Sequence, residues 1–234
     1  MKKLYCLVLA AIMLVPACVV KLVEQRSLTD VLDDEVSVIT PDFVLDAGHG
    51  GEDGGAVSPA GIRESDINLA VVLKMEDILS FCGSSPALLR REDKSLHDQG
   101  AVTLREKKVS DLKNRVAVLS AAPGSTLVSI HQNTYQNSKY RGAQVFYAPT
   151  DGSEVLAAHI QRAIRASLQP ENIREHKQIT EGVYLMNHIK NRAVLVECGF
   201  LTNPEEEKLL TQEGYQRKVA VALSSALLTA DTDG

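Results

Sequence analysis

Apolar and polar positions divide the chain into short buried runs and longer amphipathic stretches. Residues 43–47 (FVLDA), 126–131 (TLVSIH) and 193–197 (AVLVE) are compact runs, rich in β-branched residues, of a length that suits buried strands. Runs at 86–90, 142–148 and 183–186 predict three more strands. Ile67, Val71, Met75 and Ile78 recur at helical spacing and predict a helix over about 66–82, capped by Ser65 or Asp66 and stopped by Gly83. Further helices are expected over about 111–122, from Asp151 or Ser153 to about 168, and over about 204–211 and 213–229. Residues 91–108 are charged and read as a loop, and Glu205, Glu206 and Glu207 read as a solvated first helical turn. Strands alternating with helices predict an α/β fold. It is a single domain whose twisted, mostly parallel mixed sheet of about six strands carries helices on both faces.

The first twenty residues break this pattern. Lys2 and Lys3 precede an uninterrupted apolar run over residues 4–20, enough for about 26 Å of helix at 1.5 Å per residue. A secretory signal, an N-terminal membrane anchor and, through Val15-Pro16-Ala17-Cys18, a lipidated leader are all open readings. The expected organisation is a leader over 1–20, a tether over 21–41 and a folded domain over 42–231, placed outside the cytoplasm. Composition narrows the classes. Of 234 residues, 44% are hydrophobic and 24% charged, which excludes a polytopic membrane protein and a mainly disordered chain. The net charge is −5, and the leader holds two of the 25 cations and none of the 30 anions, so the remainder is more acidic still. Such a chain lacks the clustered cations of a nucleic-acid binder. With 4% aromatics and no Trp it also lacks a base-stacking platform. No nucleic-acid partner is expected, membrane contact is confined to the N-terminal segment, and the domain reads as a monomer. Cys82 and Cys198 are too few for a disulfide framework.

Candidate chemistry gathers where strands end. His49 follows the first strand in D-A-G-H-G-G, His131 closes the strand ending S-I-H, and Glu197 closes V-L-V-E. Glu64 ends a glycine-rich loop just before its helix. In open α/β sheets these positions converge on one edge. Two imidazoles and one carboxylate form the ligand set of a catalytic zinc with an open fourth position, and a second carboxylate can then move the proton. His49, Glu64, His131 and Glu197 fit as three ligands and a base, and the spacing does not settle which carboxylate plays which part. A phosphate-cradling reading of the glycine loop fails. G-x-G-x-x-G needs glycine at position 53, which is Asp53, and no G-K-[ST] occurs.

The run D-A-G-H-G-G-E-D-G-G-A, then G-I-R-E ending at Glu64, S-I-H-Q-N ending at Asn133 and L-V-E-C-G-F-L-T-N ending at Asn203 resemble successive motifs of one family. That family is the zinc-dependent N-acetylmuramoyl-L-alanine amidases, amidase type 3. The likeness covers about residues 42–229. Leu89-Arg90-Arg91-Glu92-Asp93 resembles the family's T-R-x-x-D, and Leu112-Lys113-Asn114-Arg115-Val116-Ala117 resembles its L-x-x-R-x-x-x-A. The chain departs from the family at Thr134, at Cys198 and over residues 185–193, where an L-R-x-t-x-x-P pattern is usual. The resemblance implies that His49, Glu64 and His131 hold one zinc ion and that Glu197 is catalytic; Asn133, two residues past His131, reads as a residue that orients the site or binds substrate carbonyls. It implies hydrolysis of the lactyl–L-alanine amide of peptidoglycan. An N-terminal hydrophobic segment without a wall-binding module is similar to the germination-specific, spore-cortex branch, whose product feeds muramic-lactam formation. Larger relatives insert a plug helix in the cleft. About ten residues separate Asn133 from the strand near Ala143, so control is expected from an accessory activator protein or from timing. A zinc peptidase acting on wall peptides and a non-catalytic wall-binding regulator are the rival readings.

Overall fold

The computed structural model describes residues 40–230. The expected leader over 1–20 and nearly all of the tether lie outside the described residues. Among the described residues, no helix is long and apolar enough to cross a membrane. Six strands form one sheet: β1 (Phe43–Ala47), β2 (Pro86–Leu88), β3 (Thr126–Asn133), β4 (Gln144–Tyr147), β5 (Lys177–Gln178) and β6 (Ala193–Phe200), in the order β2-β1-β3-β6-β4-β5. β2, β1, β3 and β6 run parallel, whereas β4 is antiparallel to β6 and parallel to β5. The helices are α1 (Glu64–Phe81), α2 (Leu104–Ser120), α3 (Ser153–Ser167), α4 (Tyr184–Asn187), α5 (Pro204–Leu210) and α6 (Glu213–Thr229). This is the expected single α/β domain with a mostly parallel sheet.

Alternation along the central strands sends consecutive residues to opposite faces. Leu45, Ala47, Val128, Ile130, Val194 and Val196 pack with Ile67, Val71 and Met75 of α1, Ile160 of α3 and Leu223 of α6 in the larger core. Val44, Leu127, Ala193 and Leu195 face the smaller core with Leu119 of α2 and Leu185 and Met186 of α4. On that same smaller face lie Asp46, Ser129, His131 and Glu197.

Three local readings are corrected. The stretch 183–186 is not a strand but leads into a single helical turn, α4. Its apolar run carries too little periodicity to separate strand from helix, and burial of Leu185 and Met186 decides it. α2 begins at Leu104, seven residues before Asp111. Thr103 accepts from the Glu106 backbone while the Glu106 side chain accepts from Thr103, a capping box legible as T-x-x-E within the charged stretch. Glu206 is not solvated. It is buried and accepts from the backbone N–H of Gly142 and Phe200 at 2.9 and 2.8 Å, tying α5 to the loop after β3. Smaller differences concern element ends and the edge strand. α1 starts at Glu64 with Arg63, rather than Ser65 or Asp66, at the cap position, and α3 follows Gly152 at its cap position. β5 is two exposed polar residues with no apolar signal, defined by its pairing with β4.

Candidate metal centre and active site

His131 and Glu197 are register partners on the adjacent parallel strands β3 and β6, so their side chains leave the sheet together. His49 enters from the loop after β1, and Glu64 from the first position of α1. One ligand atom from each of His49, Glu64 and His131 lies within 4.8 Å of the others. Glu64 Oε1 sits 2.8 Å from His131 Nδ1 and 3.4 Å from His49 Nε2. The two imidazoles meet edge to face, with centroids 5.0 Å apart.

The sequence G-H-G-G is what this convergence requires. A Cβ on Gly48 would lie 2.2 Å from the His131 ring, so only glycine lets that ring approach. His49 itself adopts φ 63°, a left-handed conformation that costs a non-glycine residue of order 1 kcal/mol or more. Its carbonyl is held by Arg115, which donates to His49 O at 2.9 Å. Arg115 is buried and also pairs with Asp46 and, at 2.7 Å, with Asp111. Ser129 donates to the other Asp46 oxygen at 2.6 Å. Burial alone would push the Asp46 carboxyl up, but the Arg115 cation and the Ser129 hydroxyl hold it below the usual carboxylate range. Arg90, also buried, donates to the carbonyls of Ala47, Gly48 and Ser65. Both arginines are therefore scaffolding for the loop that carries His49.

Glu64 is fixed through both oxygens. Oε2 accepts from the Ala56 N–H at 2.8 Å, and Oε1 accepts from the Gln132 N–H at 3.1 Å. Asn68 joins Glu64, Gln132 and the Gly48 carbonyl. Burial disfavours the Glu64 carboxylate, yet the His131 and His49 hydrogen bonds hold it far below its ordinary range. Burial likewise disfavours a cationic His49, and hydrogen bonds to Asp53 and Glu64 outweigh it, raising His49 to about 9. A cation in this place would take over the positive charge that the imidazole proton supplies.

Glu197 differs from Glu64. Its Oε2 is buried with no hydrogen-bond partner, and desolvation pushes its pKa up to about 7. The adjacent Cys198 points to the larger core, where burial raises its thiol to about 12 and leaves it unreactive. A cleft of about 300 Å³ exposes His49, His131 and Glu197 between Lys108, Leu112 and residues 182–186, which lead into and form the start of α4. The departing segment 185–193 thus supplies part of one wall through Leu185 and Met186, beside Tyr184. Asn133 ends β3 past a register shift and does not line this cleft. His97, His159, His176 and His188 lie outside the cluster. Sequence reasoning missed Asn68, Gln132 and Asp53, whose only signal was position: one helical turn after Glu64, next to His131, and four residues after His49.

Comparison with known proteins agrees with this geometry. The N-acetylmuramoyl-L-alanine amidase family matches residues 43–229. The chain belongs to that family. It is 35% identical over 190 residues to the germination-specific N-acetylmuramoyl-L-alanine amidase of Bacillus subtilis, covering 81% of this chain and 79% of that protein. Among solved structures, the CwlD amidase of Clostridioides difficile, determined in complex with the GerS lipoprotein, superposes with TM-score 0.79 at 38% identity. It covers 83% of this chain and 100% of that one. The catalytic domain of the CwlV amidase of Bacillus (Paenibacillus) polymyxa matches with TM-score 0.66 at 28% identity, over 82% and 97%. The family's zinc suits the residues present. Two imidazoles and a carboxylate face one another, and a buried carboxylate oxygen beside them lacks a partner.

Proposed function

We propose that this amidase cleaves the lactyl–L-alanine amide of peptidoglycan with His49, Glu64 and His131 as the ligands of one zinc ion and Glu197 as the proton-transfer residue. The observation that carries it is the meeting of three donor atoms within 4.8 Å beside a carboxylate at about 7. Zinc, when bound, supplies Lewis acidity toward the scissile carbonyl and lowers the pKa of water. The chain does the rest. Glu64 and Asn68 keep the donor set in place. Glu197, unpartnered at Oε2, accepts a proton from the attacking water and returns it to the departing alanine nitrogen. A pKa near the working pH suits a group that must do both. Tyr184, Leu185 and Met186 wall the cleft on the side where this chain departs from its family.

The substrate is a wall polymer, which places the enzyme outside the cytoplasm. Likeness to a germination-specific amidase supports a spore-cortex role, and the relative solved with a lipoprotein supports an accessory protein partner here. Residues 134–143 cross from β3 to β4 without a helix, so the cleft carries no plug at that point. We assign 1–20 to a leader, 21–41 to a tether and 42–231 to the catalytic domain. Mass spectrometry of digested wall tests the bond: fragments with a free lactyl carboxylate are expected, and cuts confined to the peptide would refute the assignment. Metal analysis of the purified chain, with hydrolysis before and after chelation, tests the zinc.

A further inference from the structure

The His49 imidazole has two nitrogens, and only one can face the donor cluster. Nε2 points to Glu64, while Nδ1 lies 3.1 Å from Asp53 Oδ2. Asp53 is itself anchored. Its other carboxylate oxygen accepts from the Gly55 N–H at 3.1 Å, Lys108 Nζ approaches Oδ2 at 3.3 Å, and its carbonyl accepts from Gly50 N–H at 2.8 Å. Gly55 is confined in turn, because a Cβ there would lie 2.6 Å from both Glu64 Oε2 and the His49 ring. The turn 50–55 thus closes around one imidazole whose backbone is already in a left-handed conformation. The ring needs such support, since a strained residue on a glycine loop has no strand to aim it. His131, by contrast, is aimed by β3.

Resting on the three-ligand reading above, we propose that Asp53 is a positioning residue for the metal: it accepts the Nδ1 proton of His49 and so reserves Nε2 for zinc. A carboxylate on the remote nitrogen fixes the tautomer, orients the ring and raises its basicity. Lys108 holds the carboxylate in turn, on the wall shared by the cleft and the neighbouring hollow lined by Glu52, His97 and Lys107. Asp53 never touches substrate in this scheme and acts through His49 alone.

The test is zinc affinity of the full chain, measured by competition with a chelating dye, alongside thermal unfolding of the metal-free chain. Asp53→Ala is expected to weaken zinc about 10- to 100-fold, the usual effect of losing such a partner. Its metal-free chain should stay folded with only a modest drop in unfolding midpoint, reflecting the lost pairing with His49, because the Asp53 side chain is 37% exposed. Asp53→Glu should recover much of the affinity. Asp53→Asn, which keeps the shape, should also bind more weakly than wild type and decides the matter if the alanine variant unfolds. Wild-type zinc affinity in Asp53→Ala or Asp53→Asn overturns the inference and leaves the three ligands standing. A wild-type chain that takes up no zinc overturns both.

Discussion

The two faces of the sheet are made from alternate residues of the same strands, yet they are held by different forces. On the larger-core side, Leu45, Ile130, Val196 and their neighbours pack in one apolar cluster with side chains of α1, α3 and α6. Each buried side chain there contributes roughly 1.5–3 kcal/mol by leaving water, whatever its exact neighbours. On the other side, Asp46, Ser129, His131 and Glu197 occupy equivalent places in the pleat. Their burial is tolerable only where partners exist. Arg115 and Ser129 satisfy Asp46, Glu64 partners His131, and Glu197 Oε2 is left without any. One face is therefore non-specific and forgiving of apolar exchange. The other depends on particular atoms and stores cost at Glu197, the group proposed above to carry the proton.

The sharpest way to separate the faces is Glu197→Gln. It should lower kcat by about 10²- to 10⁴-fold, the range for loss of a general acid–base group, while the thermal midpoint holds or rises. A kcat near wild type on intact wall would remove Glu197 from the mechanism. Arg115→Ala tests the polar face as structure. Leaving Asp46 and Asp111 uncompensated should cost about 3–5 kcal/mol in a denaturant titration, and a loss below 1 kcal/mol would show that water replaces the guanidinium. Ile130→Ala on the opposite side should cost about 2–5 kcal/mol from cavity formation yet leave zinc affinity unchanged in the folded chain. A parallel loss of zinc would mean that the faces are not separable.

Titration gives the smallest effects. Glu197 must be ionised to accept a proton, and its pKa is raised to about 7, so kcat/KM should rise with pH across an acid limb no higher than that. A nearby cation favours the carboxylate and draws the limb lower. Zinc must displace the Nε2 proton that Asp53 and Glu64 help His49 retain up to about 9, so zinc affinity should strengthen as pH increases toward that value. In the metal-free chain the sign reverses. The folded-state value exceeds the ordinary 6.5, so the stability from His49's pairing is complete below 6.5 and is lost as pH climbs through about 9. Metal-free unfolding midpoints that stay flat between those limits would count against the pairing.

The linear order of residues determined the strands β1, β3 and β6 and the helices α1, α3, α5 and α6, and it singled out the four candidate site residues. Each of these carries its own signal: a β-branched run, a 3.6-residue period, or an ionisable group where an apolar strand ends. It also contained the start of α2, as the Thr103–Glu106 pair, although charge in that stretch concealed it. Only the folded structure decided the rest. The segment 183–186 becomes a helical turn because Leu185 and Met186 reach the smaller core, and β5 exists because β4 offers it an edge. Glu206 is drawn inside by two backbone donors from distant loops. Asp53, Arg115 and Asn68 gain their parts from neighbours up to 69 residues away. Local pattern sets the conformation that the backbone prefers, whereas hydrogen-bond partners and burial are properties of packing, and no spacing along the chain encodes them.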